Sequence, residues 1–152
     1  IRRQRQMCIR DSHTELIDEL IAGGRLKLDA ARSGSVTFHD PCYLGRQNDV
    51  IAAPRDILES SGAALVEMAK NEEQSFCCGA GGAQMWKEEE HGEIGVNRSR
   101  FKQAAETGAD TLAVGCPFCM IMLKDAAAAE NSQMQVKDVA QIIVEGLTDK
   151  SD

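Results

Sequence analysis

The chain has no apolar run near the ~18 residues that a membrane-crossing helix needs, so no span is expected within its 152 residues. It also lacks a basic stripe. Its 24 acidic residues against 17 basic ones give a formal charge of −7, the wrong sign for a nucleic-acid partner. The first residues have no apolar segment of the kind a signal peptide carries. No internal repeat and no low-complexity linker interrupts the sequence. Aromatic residues are scarce, with a single Trp, and none of the three prolines lies beyond Cys119. The length fits one domain with a core of its own.

Cysteine, in contrast, is abundant and patterned. Cys42 stands alone, Cys77-Cys78 is a vicinal pair followed by Gly79, and Cys116-Pro117-Phe118-Cys119 is a C-x2-C motif. An odd number of thiols that includes a vicinal pair makes a poor disulfide framework. Free thiols survive in a reducing cytosol, which sets the expected location as cytoplasmic. Soft thiolates select zinc, copper(I) or iron–sulfur clusters. The sixth cysteine, Cys8, falls in Ile1–Ser12, whose basic composition clashes with the rest and which does not start with Met. Residues 1–12 resemble translated adaptor read-through and are read as non-native or disordered, with a frayed terminus as the plain alternative. Cys8 is therefore left out of the site.

The remaining pattern alternates helices and strands. Leu16, Ile17, Leu20 and Ile21 recur at helical spacing, with Thr14 as the expected N-cap and Gly23-Gly24 as the stop. Strands are expected over 36–39, 65–68, 111–114 and 134–136. Pro54 opens a helix closed by Gly62. A second helix runs over about 94–107 to Gly108, and a third starts at Pro117 and continues through the Ala126–Ala129 run. Asp138 caps a last helix with Val139, Ile142, Ile143 and Leu147 as its stripe. This is an α/β order: a single Rossmann-like domain with a short parallel sheet and helices on both faces. Ligands of open α/β sheets bind at the carboxyl ends of the strands. Cys42 and Cys116 each follow a strand, so the cysteines are expected to gather at that edge.

Three chemistries compete for these thiols. Cys116-Pro117-Phe118-Cys119 opening a helix looks like a thioredoxin-type exchange site, but such folds need a later cis-proline. A structural zinc ion would be satisfied by four thiolates, which leaves a fifth over and makes the vicinal pair awkward. Inert buried cysteine is the plain reading. Gly79, Gly81 and Gly82 would let backbone N–H groups approach anionic sulfur, although a glycine-rich turn needs no cluster. His39 is a candidate hydrogen-bond or proton donor, or a satisfied core histidine. Arg46 is a candidate for offsetting cluster charge or holding a carboxylate. Arg98 and Arg100 are expected on a solvated helix face, and Met120 and Met122 in packing. Trp86 is a candidate lid or partner contact.

His39-Asp40-Pro41-Cys42-Tyr43-Leu44-Gly45-Arg46, Cys77-Cys78-Gly79-Ala80-Gly81-Gly82 and Gly115-Cys116-Pro117-Phe118-Cys119 occur in this order. Together they resemble the cysteine-rich CCG domain of the family that holds heterodisulfide reductase and the glycolate oxidase iron–sulfur subunit. The resemblance implies an iron–sulfur domain over residues 13–150, forming part of an oxidoreductase. It implies Cys42, Cys77, Cys78, Cys116 and Cys119 as ligands of a [4Fe-4S]-type cluster, which in heterodisulfide reductase is a non-cubane double cluster. It further implies a second repeat, a ferredoxin-like domain and a flavoprotein or ferredoxin partner, with FAD only on that partner. Such partners would bring the chain to the cytoplasmic face of the membrane.

Overall fold

The computed structural model describes residues 12–28, 34–87 and 92–147; Cys8, most of segment 1–12, the Glu88-Glu89-Glu90 run and the last residues lie outside them. The first helix, α1 (His13–Ala22), is capped two residues before the expected position, Thr14. Ser12 is the N-cap: its hydroxyl accepts from the Glu15 amide at 3.3 Å, while the Glu15 carboxylate accepts from the Ser12 amide at 2.9 Å. This reciprocal pair satisfies two orphan donors, so the Thr14 assignment is corrected. Thr14 is instead buried inside the first turn. Gly23-Gly24 ends the helix, with Gly24 at φ +66.

β1 (Ser35–His39), β2 (Ala64–Leu65), β3 (Thr111–Val114) and β4 (Gln135–Asp138) form one sheet in the order β2-β1-β3-β4, and every pairing is parallel. β2 is shorter than the expected 65–68. After Leu65 one further ladder bond remains, from the Val66 amide to the Val36 carbonyl at 2.8 Å. Glu67 is then held by Arg55 at 2.7 Å, and Met68 turns into the core. α2 (Ala52–Ser60) starts ahead of Pro54, which sits in its first turn where a missing N–H costs nothing. α3 (Val96–Ala105), α4 (Pro117–Ala129) and α5 (Val139–Glu145) complete the fold. Asp138 caps α5 through the Ala140 amide at 2.9 Å, as its position before an apolar stripe implied.

The register explains the two cores. Val36 pairs with Thr111 and Phe38 with Ala113, so these residues share one face. That face packs on Leu58 of α2 and Val139 and Ile142 of α5. The alternate residues Leu112, Val114 and Val136 face Phe101 and Ala104 of α3 and Leu123 and Ala126 of α4. Truncating a fully buried residue such as Phe38 would cost about 3 to 5 kcal/mol. Helices therefore cover both faces. The chain turns one way from β1 to β2 and the other way from β3 to β4, which puts the topological switch point between β1 and β3. A crevice at the carboxyl ends of those two strands is where ligands bind in such sheets.

Candidate metal centre

Each wall of that crevice ends in a cysteine segment. β1 runs through His39 into Asp40-Pro41-Cys42, and β3 runs through Gly115 into Cys116, the N-cap of α4. Cys77-Cys78 arrives from the long connection between β2 and α3. Two arginines and one carboxylate anchor this connection. Arg46 donates from Nε to the Glu73 carbonyl at 3.1 Å and from Nη2 to the Ser75 carbonyl. Arg100 donates to the Lys70 carbonyl at 2.8 Å and to the Ser75 hydroxyl at 3.2 Å. Asp40 accepts from the Glu72 amide at 2.8 Å. The backbone carbonyls of the connection thus take up Arg46, a candidate for charge compensation, and its guanidinium fixes the approach to Cys77.

All five thiols meet electrostatically. Cys78 and Cys119 are buried, Cys77 and Cys116 are half-buried, and Cys42 is exposed at the mouth. The Cys119 thiol hydrogen-bonds both Cys116 and Cys78, and those two bonds push its own pKa far up. The shared proton has the opposite effect on its neighbours. Cys78 is lowered to about 4, first by Cys119 and then, against burial, by His39 and the Ala80 amide. Cys116 is lowered to about 6 by Cys119, with help from the Cys119 and Phe118 amides at the first turn of α4. Those amides are unsatisfied donors at the positive end of the helix, so they favour an anionic sulfur. Burial raises Cys42, and the charges of Cys77, Cys78 and Cys116 add to the rise. Cys42, Cys116 and Cys119 thus respond to the charge of neighbouring thiols, Cys78 responds to its bond with Cys119, and Cys77 contributes to the field at Cys42.

The glycines divide. The Gly79 amide donates to the Cys77 sulfur at 3.3 Å. Gly79 sits at φ +91, and a Cβ there would lie 3.3 Å from Met122 Cε and Val96 Cβ. Gly82 is also left-handed, at φ +64, whereas Gly81 has an ordinary backbone and open space around it. Trp86, in the 3-10 turn Gly81–Trp86, meets Phe118 edge-on at 6.2 Å between centroids, and both rings are largely exposed. This pair links the Cys77-Cys78 loop to the C-x2-C helix. Met120 and Met122 pack against the α3–α4 core.

Arg100 is the residue that departs furthest from expectation. It is not solvated but fully buried, at 0% exposure, whereas Arg98 pairs with Glu130 at the surface. Arg100 Nε donates to His39 Nδ1 at 3.0 Å. Arg100 shares the inner stripe of α3 with Phe101 and Ala104, and that spacing is the one signal of its burial in the sequence. Its pKa falls to about 10, chiefly through desolvation, and the nearby Asp40 carboxylate and Cys119 and Cys78 thiols oppose the fall. His39 is likewise lowered by burial. A ring nitrogen of His39 and the Cys78 and Cys119 sulfurs lie within 4.8 Å of one another, and His39 Nε2 is buried without a hydrogen-bond partner. Soft donors converging beside an unpartnered ring nitrogen, with two thiols already acidic, fit a thiolate-bound, sulfide-containing metal group.

The sequence profile of the cysteine-rich domain family CCG matches residues 36–124. The chain is 41% identical to "Probable iron-sulfur-binding oxidoreductase FadF" of Bacillus subtilis, covering 89% of this chain and 19% of the relative. It is 36% identical to "EtfAB:quinone oxidoreductase" of Syntrophomonas wolfei over 86% of this chain and 20% of the relative. It is also 36% identical to one of the polypeptides of the dihydromethanophenazine:CoB–CoM heterodisulfide reductase of Methanosarcina barkeri, over 88% of this chain and 33% of the relative. The chain thus spans between a fifth and a third of these proteins' lengths. Among the described residues, no helix is long and apolar enough to cross a membrane.

Proposed function

The chain belongs to the cysteine-rich CCG domain family, and from that premise we propose that Cys42, Cys77, Cys78, Cys116 and Cys119 hold an iron–sulfur cluster. The cluster is of [4Fe-4S] type, with five thiols available for a non-cubane form. The domain over 13–150 is the cluster-binding part of an oxidoreductase. It passes electrons between a flavin or ferredoxin partner and a disulfide or quinone acceptor. A second cysteine-rich repeat, a ferredoxin-like domain and an FAD-bearing partner supply the rest, and the assembly works in the cytoplasm or at the cytoplasmic face of the membrane. The names of the relatives support the class of chemistry. The observation that carries the reading is geometric: donor atoms of His39, Cys78 and Cys119 lie within 4.8 Å of one another at the sheet's switch point, and Cys116 heads the helix that carries Cys119.

When bound, the cluster supplies one-electron transfer. The chain's residues prepare its seat. Cys78 and Cys116 are held acidic, so little work is needed to ionise them at neutral pH. The amides of Gly79, Ala80, Phe118 and Cys119 donate to sulfur and lessen the cost of accumulating negative charge. Burial of Cys78 and Cys119 keeps water from the inner side. Exposed Cys42 leaves the outer side open to a partner. His39 is the proton or hydrogen-bond donor on the inner wall.

A dithiol-exchange reading has one specific support: an acidified Cys116 at a helix N-terminus beside a protonated Cys119. It leaves Cys42, Cys77 and Cys78 without a task. Anaerobic reconstitution with iron and sulfide separates the readings. The expected result is a coloured protein with stoichiometric iron and acid-labile sulfide and a paramagnetic EPR signal in one redox state. A colourless protein that retains zinc, or one that only cycles a Cys116–Cys119 disulfide, overturns the cluster.

A further inference from the structure

We propose that Arg100 is a positioning residue that locks His39 in its Nε2–H tautomer, making His39 a hydrogen-bond donor to Cys78 and barring it from the metal.

The argument begins with donor count. A guanidinium has N–H donors and no acceptor. Its Nε therefore contacts His39 Nδ1 at 3.0 Å only if Nδ1 carries a lone pair. A neutral imidazole whose Nδ1 accepts must carry its proton on Nε2. A doubly protonated ring would set N–H against N–H inside the core, and a ring with the proton on Nδ1 would do the same. The contact with Arg100 thus selects one of three ring states.

Arg100 has little freedom to choose otherwise. Nη1 is spent on the Lys70 carbonyl at 2.8 Å and on Gln103 Oε1 at 2.9 Å, and Nη2 on the Ser75 hydroxyl at 3.2 Å. Ser75 in turn donates to the Asp40 carbonyl at 3.1 Å. The guanidinium plane is fixed from three sides, and a planar fork loses little freedom per bond once seated. It therefore holds the imidazole at a set angle at the end of β1.

The consequence falls on the sulfurs. The ring lies within 4.8 Å of the Cys78 and Cys119 sulfurs by one of its nitrogens, and with Nδ1 engaged the nitrogen left to serve them is Nε2, which is buried and has no hydrogen-bond partner. As an N–H it cannot ligate a metal, because ligation needs the lone pair on that atom. His39, Cys78 and Cys119 look like a three-donor metal site by proximity alone, and Arg100 rules it out. What remains is a buried N–H beside Cys78 and Cys119 with no hydrogen-bond partner of its own, and hydrogen bonds to cluster sulfur raise reduction potential. This second step rests on the cluster reading above; the tautomer does not.

Nitrogen-15 NMR of the imidazole in this chain tests the first step in the metal-free, reduced protein. The wild type is expected to show a protonated Nε2 and an unprotonated Nδ1. Arg100→Met removes the donor and should mix the two neutral tautomers, and Arg100→Lys should restore the wild-type pattern in part. A wild-type ring protonated on Nδ1, or on both nitrogens, overturns the proposal, and this arm needs no variant to fold. In reconstituted protein, Arg100→Lys at wild-type iron content should shift the midpoint potential to more negative values. An unchanged potential at equal iron content overturns the effect on the cluster. Wild type that shows the Nε2–H tautomer but takes up no iron overturns the cluster reading and leaves the Arg100–His39 lock standing.

Discussion

Arg55 grips the Asp40 carboxylate with two bonds, Nη1 to Oδ1 at 2.8 Å and Nη2 to Oδ2 at 3.1 Å. The same guanidinium holds Glu67 at 2.7 Å, and Asp40 also takes the Glu72 amide at 2.8 Å. One nearly buried carboxylate thus joins the exit of β1, helix α2 and the connection that delivers Cys77-Cys78. Removing one partner of a buried ion pair costs about 3 to 5 kcal/mol where the other charge is left unpaired. Arg55 keeps Glu67, so Asp40→Ala is expected to lose about 2 to 3 kcal/mol, from the lost pair and the Glu72 amide left without its acceptor, measured by denaturant unfolding of the metal-free protein. A loss under about 1 kcal/mol, the range of exposed pairs, would show that the network contributes little.

Gly79 and Gly81 should respond oppositely to alanine. Gly79→Ala forces a side chain into a left-handed backbone and against Met122 and Val96, which costs about 1 to 3 kcal/mol. It also displaces the amide that donates to Cys77. Gly81 has no such constraint, so Gly81→Ala should stay within about 0.5 kcal/mol. Paired melts of the two variants check this. Equal losses would mean that the loop readjusts and that the Gly79 conformation is not required.

The legible parts of the fold were those written in local pattern. The apolar run Thr111–Val114, the Asp138 cap and Pro117 at the head of α4 can each be read from neighbouring residues, and the structure agrees. The three cysteine segments were legible because each follows its own local signal and the parallel topology brings their ends together. Arg100 was not legible. Its partner His39 lies 61 positions away, and charged residues on helices are solvated by default, so its place on the Phe101–Ala104 stripe is too weak a local signal to mark its burial. The brevity of β2 escaped for a similar reason, since Glu67 leaves the sheet for an arginine on another element. The Ser12 cap was missed because it sits inside the segment set aside on composition.

A pH effect is expected at the His13–Asp138 pair, whose Nε2 and Oδ1 are 3.3 Å apart at the carboxyl edge of the sheet. Asp138 raises the His13 pKa above 6.5 through their hydrogen bond, against desolvation. Burial opposes the drop in Asp138, but His13 and the Ala140 amide carry it below 3.8. A raised histidine contributes fully below its unfolded pKa and loses that contribution as pH climbs through the folded one. A lowered carboxylate contributes above its unfolded pKa and loses that contribution as pH falls through the folded one. The pair is therefore at full strength between about pH 4 and 6.5. His13→Gln should lower the melting midpoint of metal-free protein most near pH 5, and the difference should shrink as pH rises through the raised folded-state pKa of His13. A pH-independent difference would assign the loss to packing instead.

The last prediction concerns which thiols hold the cluster. Cys8 stands outside the motif, so Cys8→Ser should leave iron and sulfide per chain unchanged. Cys78 is different, because it is buried, acidified and joined through Cys119 to Cys116. A serine there offers a harder, far less acidic oxygen to iron. Cys78→Ser should therefore empty the site or leave a smaller cluster with a different EPR signal. The vicinal pair is what sets this pattern apart from an ordinary four-thiol site, so this variant bears most directly on cluster type. Iron, acid-labile sulfide and EPR are measured on each serine variant reconstituted without oxygen. Full iron and an unaltered spectrum in Cys78→Ser would reduce the ligand set to Cys42, Cys77, Cys116 and Cys119. The acidity of Cys78 would then trace to the proton held by Cys119 and to His39, with no part in metal binding.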